Sequence, residues 1–155
     1  MTKEDMVDAV RDYIDGEGYR YEYDAEHQML KLGFTLKCKL KNVRLFWEFT
    51  DKGYIVYSVS PINADKDNLG EMAKYLHMAN YGLINGNFEL DYRDGEVRYK
   101  CHVCTDGLDS VSKEILERSL DVGIAMMNRY GDGIAALALG FSDADAEIKK
   151  IEGEA

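Results

Sequence analysis

Residues 30–49 carry a strict alternation that constrains the fold. Leu30, Leu32, Phe34, Leu36, Cys38 and Leu40 alternate with Lys31, Gly33, Thr35, Lys37, Lys39 and Lys41. Val43, Leu45, Trp47 and Phe49 continue the same two-residue period. Successive strand side chains point to opposite faces, so the pattern predicts half-buried strands with one apolar face. A turn near residues 39–42 divides it in two. A hairpin at Thr50-Asp51-Lys52-Gly53-Tyr54, with glycine in the left-handed position, then leads to a strand over 54–60. That strand is apolar on both faces, which places it centrally or beneath a helix. Pro61 stops it. Residues 19–23 read as a short edge strand or an extended connection.

The second informative stretch is 71–100, a helix followed by a hairpin. Leu69, Met72, Ala73, Leu76, Ala79 and Leu83 form one apolar stripe at helical spacing. Asp65, Asp67 and Asn68 are candidate caps. Asn80 lies within the stripe, and a buried amide needs partners, so it is expected to tie the helix to nearby backbone. Asn85-Gly86 ends the helix or opens the next strand. Asp94-Gly95 suits a two-residue type I′ turn. That turn would set Leu90 opposite Tyr99 and Phe88 opposite Cys101. On the other side it would pair Asp91 with Arg98, Glu89 with Lys100 and Arg93 with Glu96.

Helices account for the rest. Residues 2–15 form an amphipathic helix with a capping-box-like start at Thr2 and Asp5. Residues 109–128 form a longer one, capped by Asp109, Ser110 or Ser112. Its stripe, with Leu120, Ile124 and Met127 outside it, carries more apolar surface than one sheet needs, which suggests a second contact. Tyr130-Gly131-Asp132-Gly133 reads as a hinge before a short apolar helix over 134–141. The chain is therefore expected to fold as one α+β domain over 1–141, in the order helix-β-β-β-helix-β-β-helix. It carries a mainly antiparallel five-stranded sheet packed against helices, and 142–155 is an acidic terminal helix or tail.

Charge and cysteine usage narrow the function. The formal net charge is −10, which opposes nucleic acid and anionic membrane surfaces at long range. The N-terminus carries acids where a secretory leader would carry bases, so a cytoplasmic setting is expected. The basic run Lys31, Lys37, Lys39, Lys41 and Arg44 reads as a solvated strand edge. Cys38, Cys101 and Cys104 form no disulfide framework. Cys101 and Cys104 on a strand would point to opposite faces, which leaves a metal or redox role without support. His27, His77 and His102 make no catalytic constellation. No catalytic residue, metal ligand or cofactor is expected. Trp47, Tyr57, Tyr75 and Tyr81 are the candidate partner-binding residues, since interfaces favour such anchors.

With these elements placed, Leu76-His77-Met78-Ala79-Asn80, Gly86-Asn87-Phe88-Glu89-Leu90-Asp91, Asp94-Gly95-Glu96-Val97 and Tyr99 resemble the motifs of the YbjN-like family. Its members share the fold of type III secretion chaperones. The matching structural motif residues are Asn80, Gly86, Phe88, Asp91, Asp94 and Gly95. Departures are His77, where the family often has a second asparagine, the lack of a proline near Asp132, and the acidic tail. The resemblance implies a non-enzymatic, chaperone-like or regulatory protein that binds a protein client, and it implies a homodimer. A small-ligand or signal-sensing domain is the alternative.

Overall fold

The computed structural model describes residues 1–153. Helix α1 (Lys3–Glu17) precedes β1 (Glu22–Asp24), β2 (Met29–Thr35), β3 (Asn42–Thr50) and β4 (Gly53–Val59). A 3-10 turn leads into α2 (Leu69–Asn80), followed by β5 (Asn87–Leu90), β6 (Val97–Cys104), α3 (Lys113–Ala138) and α4 (Ala144–Glu152). The strands form one antiparallel sheet in the order β1-β2-β3-β4-β6-β5. It has six strands rather than the expected five, because 22–24 pairs with β2.

The helix starts follow local chemistry. Thr2 and Asp5 close a reciprocal capping box on α1. The Ser112 hydroxyl accepts from the Ile115 amide at the start of α3. Asp65 caps the 3-10 turn, and Asn68 uses its amide to reach the Ala138 carbonyl instead.

All four helices bury apolar side chains in a single core against one face of the sheet. Met6, Val10 and Ile14 of α1 meet Leu30, Leu45, Trp47, Tyr54, Val56 and Tyr99 there, with Met72 of α2, Leu120 of α3 and Ile148 of α4. The outward-facing Phe46, Ile55 and Tyr57 take no part in that core.

Four further expectations are corrected. The Tyr130-Gly131-Asp132-Gly133 segment is no hinge: α3 runs unbroken for 26 residues through it. Its glycines serve close packing. A Cβ at Gly131 would collide with Cys38 Sγ, and one at Gly133 with the Tyr75 hydroxyl. That hydroxyl donates to the Tyr130 carbonyl of the same helix at 2.8 Å.

Next, the β2 alternation outlasts the strand. Residues 36–41 form a loop closed by the Leu36 amide on the Lys41 carbonyl, with Lys41 at φ 71°. Leu36, Cys38 and Leu40 are still buried, while the Lys37 and Lys39 amides donate to the Asn128 and Asp132 side chains of α3. The basic run is thus split. Lys31 and Arg44 stay on the sheet, and Lys37, Lys39 and Lys41 belong to the loop.

The β5–β6 register is also displaced by two residues. Phe88 faces Tyr99 and Leu90 faces Val97. The connection is longer than a two-residue turn, with the Asp91 amide bonded to the Glu96 carbonyl and the Gly95 amide to the Asp91 carbonyl. An even shift leaves every side chain on its expected face. The cause is tertiary. Gly95, at φ 78°, lies against the Ala64 backbone, where a Cβ would collide, and its carbonyl accepts from the Ala64 amide. Gly53 also differs from its expected turn role: at φ 155° it is required by close approach to the Val103 carbonyl.

These contacts predict opposite outcomes at two helix glycines. Gly133→Ala should lose about 1–3 kcal/mol by overpacking against Tyr75. Gly16→Ala, with nothing within 4 Å of its new methyl, should gain roughly 0.5 kcal/mol of helix stability. Urea denaturation measures both. A Gly133→Ala protein as stable as the parent would refute the close approach of α3 to Tyr75.

Candidate functional site, the open face of the sheet

Asn80 fixes the frame of this face. Its Nδ2 donates to the Phe88 carbonyl at 3.1 Å and its Oδ1 accepts from the Phe88 amide at 2.7 Å. One side chain thereby satisfies both backbone groups of Phe88 and ties α2 to β5. Gly86, at φ 91°, lies against the Lys100 carbonyl and the Tyr99 ring. Phe88 packs edge-on against Tyr99 and Tyr130, with centroids 5.0 and 5.4 Å away. Asp91 accepts from the Arg93 amide and guanidinium, and Asp94 accepts from the Glu96 amide. Together with Gly95 these residues build the β5–β6 unit and its turn.

The four aromatic candidates separate. Trp47 and Tyr75 are fully buried at 0% exposure, so in this conformation they present no surface to a partner. Tyr57 is half-buried on the outer face, and Tyr81 is 92% exposed just after α2. The structure does not bring Tyr57 and Tyr81 together, since one faces outward from the central β4 and the other caps the helix layer.

Register defines the open face. One row across it is Glu22, Lys31, Phe46, Tyr57 and Lys100; the next is Gly33, Arg44, Val59, Arg98 and Glu89. Phe46 and Tyr57 are direct cross-strand partners. The Arg98 guanidinium lies 4.0 Å from the Tyr57 ring centroid, and that of Arg44 lies 5.5 Å from the Phe46 centroid. Sequence reasoning passed over Phe46, read Arg44 only as part of a solvated basic run, and paired Arg98 with Asp91 rather than with Glu89. The signal was present in the alternation, which puts Arg44, Phe46 and Glu48 opposite Leu45, Trp47 and Phe49.

Charge on this face is partly paired. Glu89 accepts from Arg98 Nε and Lys100 Nζ, both at 2.9 Å. Burial pushes the Glu89 carboxyl up, but those two hydrogen bonds outweigh it and hold the group below the ordinary glutamate range. Asp24 is held lower, at about 2, first by the His27 amide and ring and then by Lys31. Arg20 and Arg44 have no ion-pair partner among the described residues.

The nucleophiles and ligands remain scattered. His27 pairs with Asp24 at 2.8 Å, and His102 lies on the outer face opposite Ile55. Cys101 is buried, which pushes its thiol up, and Cys104 is exposed. No group of three His, Cys, Asp or Glu side chains among the described residues could hold a metal. Among the same residues, no helix is long and apolar enough to cross a membrane.

Glu89 supplies a pH test. Its folded-state pKa lies below the unfolded value near 4.5, so its stabilisation is fully present above that value and is lost as pH falls through the folded pKa. The stability gap between the parent and Glu89→Gln should therefore stay constant from pH 8 down to about 5.5 and close below pH ~4.5. Urea midpoints across that range measure it. An unchanged gap at pH 3 would show that shape, not charge, sets the contribution of Glu89.

Comparison with known proteins follows the same outline. No curated protein matches the chain. Among solved structures it is similar to the "Crystal structure of YbjN, a putative transcription regulator from E. coli", at 12% identity and a TM-score of 0.62. That likeness covers 86% of this chain and 92% of the other, and it concerns the fold. The profile of the family described as "YbjN: Putative bacterial sensory transduction regulator" matches residues 6–136, and the chain belongs to the YbjN family.

Proposed function

We propose that this chain is a non-enzymatic, regulatory protein-binding module whose contact surface is the open face of the sheet. One observation carries the reading. Every helix lies on one side of the sheet, and the other side presents Phe46 and Tyr57 as a cross-strand pair, each beneath an arginine. Aromatic and arginine side chains together are the usual anchors of protein interfaces. The family's description as a regulator of sensory transduction accords with action through a partner. The separated histidines and the unassembled thiols support a binding role over catalysis. Three free cysteines support a reducing, cytoplasmic setting. The charge of −10 weighs against nucleic acid as the partner.

The same reading includes a homodimer, implied by the resemblance to secretion chaperones. The surface it would use is the corner after α2, where Tyr81 is 92% and Ile84 100% exposed. A small-ligand reading draws on a concavity of about 540 Å³ beside that corner, lined by His77, Met78, Asn80, Tyr81 and Glu152.

Two experiments test these statements. A photo-crosslinking benzoylphenylalanine placed at Tyr57 should give a discrete protein adduct in cells, abolished by Phe46→Glu, while the same probe at Asp8 gives none. Equal adducts from both positions, or none from either, would refute the open face as the contact surface. Light scattering should report twice the chain mass for the parent and a monomer for Tyr81→Ser combined with Ile84→Ser. A parent that is monomeric at high concentration would remove the dimer from the account.

A further inference from the structure

Gly33 stands in the middle of β2, where glycine weakens a strand. Most of the glycines that pack against other elements have a physical reason to be glycine. Gly53, Gly86, Gly95, Gly131 and Gly133 each sit where a Cβ would collide. Gly33 does not. Its backbone is not in the left-handed region, and an added Cβ would find its nearest neighbour, the Val43 carbonyl, 4.0 Å away. The missing side chain instead leaves a groove of about 420 Å³ on the open face, bordered by Arg20, Glu22, Lys31, Arg44 and Phe46.

The charge of this groove runs against the charge of the chain. Arg98 and Lys100, further along the sheet, share the Glu89 carboxylate, and Lys31 lies 3.5 Å from Asp24. Arg20 and Arg44 keep their guanidinium charge without a carboxylate among the described residues. A guanidinium fork matches a carboxylate bidentately. Diagonally across the face, Phe46 and Tyr57 lie within about three to four residues of extended chain from Gly33, given the spacing of strands and residues.

From this we infer that the Gly33 groove is a specificity pocket for an acidic residue of an extended protein segment. The carboxylate is held by Arg44 and Arg20, the backbone passes over Gly33, and an apolar side chain about three residues away rests on Phe46 and Tyr57. The inference rests on the open face being the protein-binding surface and adds the chemistry of what it binds. A polyphosphate backbone fits less well. Glu22, Glu48 and Glu89 are interspersed on the same face, and the whole chain repels polyanions at long range.

The test is an NMR titration of the ¹⁵N-labelled full chain. The probe is the acetylated nonapeptide Gly-Ser-Glu-Gly-Ser-Phe-Gly-Ser-Gly, compared with the same peptide carrying Gln for Glu, with an eight-residue oligothymidylate and with succinate. The expected result is saturable shifts at the Gly33, Arg44 and Phe46 amides with the Glu peptide. Binding should weaken at least about tenfold with the Gln peptide and in Arg44→Gln, as loss of a charge-assisted pair requires. An added Cβ at Gly33 meets nothing closer than 4.0 Å, so Gly33→Val should abolish the shifts without lowering the thermal midpoint. Equal binding of the Glu and Gln peptides on Phe46 and Tyr57 would overturn the acidic pocket and leave the protein-binding face standing. Tighter binding of the oligothymidylate at the same amides would overturn both. Succinate binding as tightly as the peptide would replace the segment with a small dicarboxylate. The absence of outer-face shifts with every probe would overturn the pocket, and the crosslinking at Tyr57 would then decide the face alone.

Discussion

The structure depends on how closely α3 lies against the sheet and α2. Gly123 sits over Ser58, Gly131 over Cys38 and Gly133 over the Tyr75 hydroxyl, with no room for a Cβ at any of them. Ser58 is fully buried and its hydroxyl has no partner among the described residues, so its small size is what the crossing uses. The approach brings Tyr130 into contact with Tyr75 and Phe88, and Phe88 into contact with Tyr99. Four rings from α2, α3, β5 and β6 thus join the helical layer to the far edge of the sheet. Such packing allows little adjustment, because close-packed interiors have no spare volume.

One consequence is the position of everything else. With α3 close, the loop over 36–41 hydrogen-bonds to Asn128 and Asp132, which stand one turn apart on the helix. Helix α4 then covers the junction of α2 and α3: Ala144 donates its amide to Glu71, and Lys74 reaches Asp145. All the helical mass therefore gathers on one side. The other side of the sheet is left with half-buried aromatic and basic side chains that the fold itself does not use. In an acidic chain, cations gathered on the uncovered face are the feature that the packing of the core does not explain.

Much of this architecture was legible in the sequence, and the misses share a cause. Local chemistry identified the capping box at Thr2 and the role of Asn80 as a tie to backbone, and it offered Ser112 with Asp109 and Ser110 as candidate caps of α3, of which the structure uses Ser112. The alternation placed Leu30, Leu45, Trp47 and Phe49 on the core face. The errors arose where a local segment answered to a distant partner. Gly131 and Gly133 read as a hinge because sequence alone does not show Cys38 and Tyr75 above them. Asp94-Gly95 read as a two-residue turn because nothing local reveals Ala64 beneath it. Residues 36–41 kept strand periodicity because a loop docked on a helix must also bury alternate side chains. Of the candidate site, Tyr57 was visible from the two-sided apolar character of β4. Phe46 and Gly33 were not singled out and Arg44 read as a solvated edge residue, since their meaning appears only when register sets three strands side by side. Of the terminal stretch 142–155, helix α4 is seen docked through Ala144 and Ile148, and Glu154 and Ala155 lie outside the described residues.

The central claim is that the sheet is covered on one face only. Carbene footprinting of β4 in the purified chain, read residue by residue, tests it most directly. The account predicts alternation along the strand, with Ile55 and Tyr57 labelled and Tyr54, Val56 and Ser58 protected. Uniform protection across the strand would contradict it, by showing that something covers the outer face in solution.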